Sequence, residues 1–209
     1  MSEHSVRIER LNQRAHILEA AVRVIARDGL GQVKSKTVAR EAGVSAGSVH
    51  YYFETLDLLT REAFLYADAV SLRAMADATT DSTCGRDELE SRLCAWLKGG
   101  DEFQQAWAVW GELWHASRHS EDIRTLLEQM WDEWVALIGA VIERAKRDRS
   151  IPASIESAPV ARRLTALLES LGQQLTTGLI SAGEARWLLQ GALVRELDPP
   201  PVEERTGGA

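Results

Sequence analysis

The stretch Val33-Lys-Ser-Lys-Thr-Val-Ala-Arg-Glu-Ala-Gly-Val-Ser-Ala-Gly-Ser-Val-His-Tyr-Tyr-Phe53 decides the fold class. Ser35 can cap a short helix that ends at Ala42, and Gly43 supplies the left-handed residue that closes it. Ser45 can cap a second short helix that ends near Tyr52. Two short helices joined by a glycine-containing turn make a helix-turn-helix. Val38, Ala39, Val44 and Val49 lock the pair together, which leaves Ala46, Gly47, Ser48, His50 and Tyr51 exposed on the second helix. Small residues there let the backbone approach the floor of a major groove, and the hydroxyl and imidazole groups can bond base edges or phosphates. The open N–H groups of a helix start also favour phosphate.

Outward from this stretch the chain reads as helices throughout. Ile8, Leu11, Ala15, Leu18, Val22 and Ile25 mark one helix face that Gly29 terminates. On the other side, Thr55 can cap a long helix carrying Leu58, Leu59, Phe64 and Leu65. Asp87 with Glu90 has the spacing of a capping box, and Gly99 and Gly100 end the helix it would open. Phe103, Ala106, Trp107, Trp110, Leu113 and Trp114 form the next apolar stripe. Ser120 caps a helix that runs to the basic end Lys146, Arg147, Arg149. Pro159 suits a first helical position behind Ser157 and Ala158. Ser181 and Glu184 form an S-x-x-E box for the last helix. Of five prolines, none precedes Pro152, and no period-2 alternation flanked by turn residues occurs. The expectation is an all-α chain of about nine helices. Residues 1–55 and 56–198 read as two helical subdomains, a smaller head and a larger body, sharing one long helix, and 199–209 as a Pro- and Gly-rich disordered tail.

The 209 residues carry a net charge of −7, which taken alone argues against nucleic acid. Its distribution reverses that reading. Residues 1–55 hold eight Lys/Arg against six Asp/Glu, so a basic head sits on an acidic body. No apolar run approaches the ~18 residues of a membrane span. Met1 to Arg14 lacks the apolar core of a signal peptide. The two cysteines, Cys84 and Cys94, are too few for a disulfide scaffold or a Cys-rich zinc site. A cytoplasmic protein with no membrane partner is expected.

The pattern from Ile17 to Leu59 (I-L-E-A-A, then Gly29, then T-V-A-x-x-A-G-V-S-x-G-S-V-x-Y-Y-F) resembles the TetR family of transcriptional regulators. The resemblance implies a three-helix DNA-binding head, a linking fourth helix and a helical ligand-binding, dimerising body. It implies that Lys36 contacts base, that Ser35 and Thr37 lie near phosphate beside Lys34, and that Ser48 stands on the recognition helix. Tyr51 and Tyr52 match the family's aromatic pair, with Tyr51 on phosphate. His50 replaces the usual tyrosine. Leu56 stands where the family has a phosphate-contacting lysine, which removes about one counterion-releasing contact per subunit. Trp110-Gly-Glu-Leu-Trp114 is similar to a branch of the family that includes choline-responsive repressors. The helices from Pro159 to Thr177 and from Ser181 to Leu197, leucine-rich and with small Gly172 and Gly191, are expected to pair with a second copy.

The body holds all seven tryptophans. Trp107, Trp110 and Trp114 share a stripe, and Trp131 and Trp134 follow on the next helix. They can be bulky core, or they can wall a cavity for a flat apolar ligand or a cation held by ring faces. The candidate ligand-binding set is Phe103, Trp107, Trp110, Trp114, His115, Trp131 and Trp134, and the body's negative charge favours neutral or cationic ligands. Glu112, His115 and His119 share a face that could contribute to a metal site, but such a set more often marks a solvated helix end, so no metal or cofactor is expected. Gly43-Val-Ser-Ala-Gly47 matches the nucleophile elbow G-x-S-x-G. That motif needs a strand before the serine, whereas here a helix precedes it, so Ser45 reads as a cap. The reading is a homodimeric, non-enzymatic regulator that binds a palindromic operator in double-stranded DNA and is released by a small-molecule inducer. The rival reading is a helical adaptor or enzyme in which the helix-turn-helix only packs.

Overall fold

The computed structural model describes residues 3–77 and 83–198, so the expected 199–209 tail lies outside the described residues. These residues form nine α-helices: α1 Glu3–Asp28, α2 Ser35–Ala42, α3 Ala46–Tyr52, α4 Leu56–Asp77, α5 Gly85–Ala95, α6 Asp101–Ser117, α7 Glu121–Arg147, α8 Ser157–Thr176 and α9 Ala182–Leu197. A 3₁₀ turn, Leu30–Gln32, joins α1 to α2, and there is no strand among the described residues. No helix of this set is long and apolar enough to cross a membrane.

Local signals set most boundaries. Gly29 ends α1 at φ 83°, and Gly43 ends α2 at φ 64°, both conformations that favour glycine. Ser45 Oγ accepts the Ser48 N–H at 3.0 Å, and Thr55 Oγ1 accepts the Leu58 N–H at 3.0 Å. Ser120 caps α7, and Ser181 with Glu184 closes a complete capping box on α9.

Three helix starts differ from the sequence reading. Lys34, not Ser35, occupies the cap position of α2 and gives no side-chain bond, since Ser35 is already helical. Asp87 and Glu90 do not form a box on α5. Cys84 is at its cap position, Asp87 accepts from Thr83, and Glu90 accepts from Gln190. The first N–H groups of α5 are instead met from the α7–α8 loop: Gly85 N donates to Asp148 Oδ2 at 2.6 Å and Arg86 N to Ser150 Oγ at 3.1 Å. Pro159 lies at the third helical position of α8, still within the first turn, where its missing N–H costs no helix bond.

One continuous apolar core runs from α1 to α9. In α1 the buried face begins at Ile17; Leu11 is exposed, and Ile8 has a side chain outside the described residues. Helix α6 is the hub, packing against α1, α4, α7 and α8. Its seat on α8 is tight: a Cβ on Gly172 would stand 2.2 Å from the Trp107 ring. Gly172 is therefore small to admit Trp107 within the chain, not to admit a partner helix, whereas Gly191 faces open space.

Gly172→Ala is expected to destabilise the fold by about 1–3 kcal/mol through overpacking. Gly139→Ala, whose Cβ would meet only Ala161 Cβ at 3.8 Å, should stabilise α7 by about 0.5–1 kcal/mol. Urea melts of the two variants check this, and equal effects of the same sign would refute the packing account.

Candidate functional site

Two sites are positioned by this core. The first is the exposed face of α2 and α3. Val38, Ala39 and Val49 are buried between them, and Val44 is half-buried. Lys34, Lys36, Gly47 and His50 are exposed; Ser35, Thr37, Ala46 and Ser48 are half-buried. Ser45, the serine of the G-x-S-x-G match, accepts the Ser48 N–H on its Oγ, which also bonds Ser48 Oγ at 2.9 Å, and so acts as a cap.

Tyr51 is 64% exposed, with the Arg10 guanidinium 6.0 Å from its ring centre. Tyr52 turns the other way and donates to Gln13 Oε1 on α1 at 3.2 Å. Phe53 is buried, with the Arg14 guanidinium 4.9 Å from its ring centre.

Much of the head's positive charge is used internally. Arg14 pairs with Glu62, Arg23 with Glu41, and Arg27 with both Glu41 and Asp28. These partners hold the Glu41 and Asp28 carboxyls below their ordinary range, chiefly by hydrogen bonding from the arginines. Among the described side chains of the head, Lys34 and Lys36 at the start of α2, with Arg10 and Arg40, are the exposed cations outside these pairs.

The second site is a box of five indoles, Trp96, Trp107, Trp110, Trp131 and Trp134, closed by Thr165, Leu168 and Glu169 of α8. The rings meet edge to face, with Trp96 5.6 Å from Trp107 and 5.2 Å from Trp134, and Trp110 6.4 Å from Trp134. The free space inside is about 20 Å³, about enough for one water. Trp107 Nε1 donates to the Trp96 carbonyl at 3.2 Å, and Trp134 Nε1 to Asp68 Oδ1 at 2.7 Å. Trp96 Nε1 is buried without a partner.

Two carboxyls are associated with the box: Glu169 lines it, and Asp68 bonds Trp134 from outside it. Burial pushes Asp68 up to about 6 against the opposing Trp134 bond. Burial likewise pushes Glu169 up to about 7, with Gln173 and Trp114 opposing. Gln173 fixes Glu169 at 3.0 Å and also donates to the Trp107 carbonyl at 3.0 Å, so α6 and α8 are joined beside the box.

The sequence-derived ligand set is thus divided. Trp107, Trp110, Trp131 and Trp134 come together. Trp114 is 40% exposed and stacks edge to face on Trp131 at 5.7 Å. Phe103 lines a neighbouring chamber of about 290 Å³ between α1, α4 and α6, in which Trp96 is a shared wall. His115 lies apart, next to His119, in a crevice of about 940 Å³ between head and body. No group of three or more metal-ligating side chains suited to an ion occurs among the described residues.

Trp96, Asp68, Glu169 and Gln173 were not in that set. Asp68 was detectable: Phe64, Asp68, Ser71 and Met75 follow helical spacing, which places a carboxyl in the buried register of α4.

Residues 17–62 match the family model of bacterial regulatory proteins of the TetR family, and residues 85–198 match the C-terminal model of BetI-type transcriptional repressors. The chain belongs to the TetR family. This TetR-family chain superposes on a TetR-family transcriptional regulator from Rhodococcus sp. with TM-score 0.80 and 28% identity, over 88% of this chain and 98% of that one. It superposes on a transcriptional regulator from Saccharomonospora viridis in complex with choline with TM-score 0.75 and 28% identity, over 85% and 93% of the two chains.

Among curated relatives, the nicotine-responsive transcriptional repressor HdnoR of Paenarthrobacter nicotinovorans is 38% identical over 58 residues, 28% of this chain and 30% of its own length. The regulator PksA of Bacillus subtilis is 25% identical over 116 residues, 56% of this chain and 57% of its own. The chain therefore matches only about half, or less, of the length of these curated relatives.

A raised carboxyl pKa in the fold favours the protonated state, so its stabilising effect is full at low pH and is lost as pH rises through the folded value. For Glu169 this window runs from about 4.5 to about 7. Glu169→Gln is expected to gain about 1–3 kcal/mol relative to the parent between pH 5 and pH 8. Denaturant melts at both pH values test this; a pH-independent difference counts against ionisation of Glu169 in the box.

Proposed function

We propose that this TetR-family chain is a ligand-released transcriptional repressor whose inducer is a small organic cation held in the tryptophan box. The observation that carries the reading is five indole rings converging with one ionisable carboxylate, Glu169. Ring faces attract a cation, and an ionised carboxylate at the wall supplies the counter-charge. Neutral apolar ligands lack any use for Glu169, and anions would be repelled by it. The buried Trp96 N–H, otherwise unpartnered, offers a donor to an oxygen on the ligand. The relative solved with choline supports this class of ligand.

The chain works as a homodimer through α8 and α9. Trp187, Val194 and Leu188 of α9 are 71%, 53% and 41% exposed, an apolar outer face that a second copy would cover. Two heads then meet half-sites about 34–36 Å apart, one turn of the duplex. Operator contact falls to Lys34, Ser35, Lys36, Thr37, Ser48, His50 and Tyr51, with Ala46 and Gly47 allowing close approach and Ser45 and Tyr52 supporting the recognition helix. Because the box holds about 20 Å³, space for about one water, and a small organic cation has several heavy atoms, the inducer must open it. A ligand that binds only the opened body shifts the dimer away from the spacing that fits DNA.

Lys36→Ala and Tyr51→Ala are each expected to weaken binding to duplexes selected from a random pool by the parent, by about 1–3 kcal/mol for Lys36, without loss of helicity. Parental affinity in both variants, by gel shift, refutes the assigned DNA face.

Choline and tetramethylammonium are expected to change the tryptophan fluorescence and release the duplex, with affinity rising from pH 6 to pH 8 as Glu169 ionises. Glu169→Gln should keep duplex binding, lose about tenfold in cation affinity and lose the pH dependence. Tight binding of a neutral isostere, with no response to either cation, refutes the cation reading.

A further inference from the structure

Glu112 lies on α6 two residues beyond Trp110, and its carboxylate does not enter the box. Glu112 Oε2 accepts the backbone N–H of Leu30 at 2.7 Å. Leu30 opens the 3₁₀ turn between α1 and α2, and among the described residues its N–H has no other partner. The Gly29 N–H closes α1 on Ile25, the Gln32 N–H bonds Gly29 and the Val33 N–H bonds Leu30. Gly29 holds φ 83° and ψ 163° and provides no side-chain cap of its own. The carboxylate packs on it, 3.6 Å from where a Cβ would stand. The turn that sets the start of the helix-turn-helix is therefore capped by a side chain of the body.

We propose that Glu112 is the positioning residue through which the state of the tryptophan box reaches the DNA-binding head. The inference rests on the repressor reading above. Helix α6 moves as a rod, so Trp110 and Glu112, about 3 Å apart along the axis, share any displacement. On the other side, α6 is keyed to α8 by the Trp107–Gly172 contact and by the Gln173 bond to the Trp107 carbonyl. A box of about 20 Å³ cannot admit a ligand unless a wall moves, and Trp110 of α6 is a wall. A hydrogen bond of 2.7 Å is lost once its partners separate by about 1 Å. The displacement that opens the box thus detaches Glu112 from Leu30 and frees the turn. In the closed state the same bond holds α2 in the register for DNA.

Linkage gives this a signature that a merely structural role lacks. If the bond favours the DNA-binding state, removing it weakens DNA binding and tightens inducer binding together. Full-length Glu112→Ala and Glu112→Gln are compared with the parent on duplexes selected by the parent, and by fluorescence titration with choline and with tetramethylammonium. Glu112→Ala is expected to bind DNA about tenfold more weakly and the cation several-fold more tightly. Glu112→Gln keeps a carbonyl acceptor for the Leu30 N–H and is expected to stay near the parent in both. DNA binding by Glu112→Ala at parental strength overturns the proposal, as does a loss of DNA binding with cation affinity unchanged or weakened. If the parent binds neither cation, the cation reading fails by itself, and the DNA comparison of the Ala and Gln variants, which needs no ligand, decides on Glu112.

Discussion

Helix α6 seats closely on α8, because the Trp107 ring occupies the volume that any side chain at position 172 would need. The rest of the arrangement depends on that contact. It fixes the height of α6, hence the closure of the indole box, and hence the point at which the next turn of α6 meets the head. A close-packed interior of this kind has few intermediate positions, so a ligand-driven change is expected between discrete seats rather than by graded deformation. The bulk of indole and the absence of a Cβ are complementary here, and neither residue alone shows why the other is there.

The helix-turn-helix and most helix starts were legible because their determinants are local. Ser45, Thr55, Ser120 and Ser181 each bond an N–H three residues on, so the sequence spacing carries the geometry. Asp87 and Glu90 have the same spacing, yet both carboxylates are taken up by other partners. The tryptophan stripe was legible as a stripe, but not which ring would stay outside. Trp110 is buried and Trp114, one turn on, is exposed, because the neighbours that cover α6 come from helices far away in sequence. Glu169 is in helical register with Ala161, Thr165 and Gly172, small residues that make no apolar stripe in the sequence. Its role arises only when α8 is laid beside the rings.

The charge count of the head also changed meaning once folded. The arginines Arg14, Arg23 and Arg27 bind the head to itself and to α4, through Glu62, Glu41 and Asp28. Such exposed or half-exposed pairs contribute little stability each, but they orient α1 against α2 and α4 and remove those cations from the outer face. With Leu56 in place of a lysine, the surface offered to phosphate is modest.

The borrowed cap of α5 has a consequence for how the chain is made. The N–H groups of Gly85 and Arg86 wait for Asp148 and Ser150, 63 and 64 residues later. Gly85 has no room for a side chain against Ala145, so α5 is moulded to the end of α7. During synthesis at about 5–20 residues per second, α5 leaves the ribosome on the order of several seconds before the groups that complete its first turn. Helices α1 to α3 pack on one another and can form early, although the Leu30 N–H must wait for Glu112; the body must stay open at α5 until α7 has emerged and turned back.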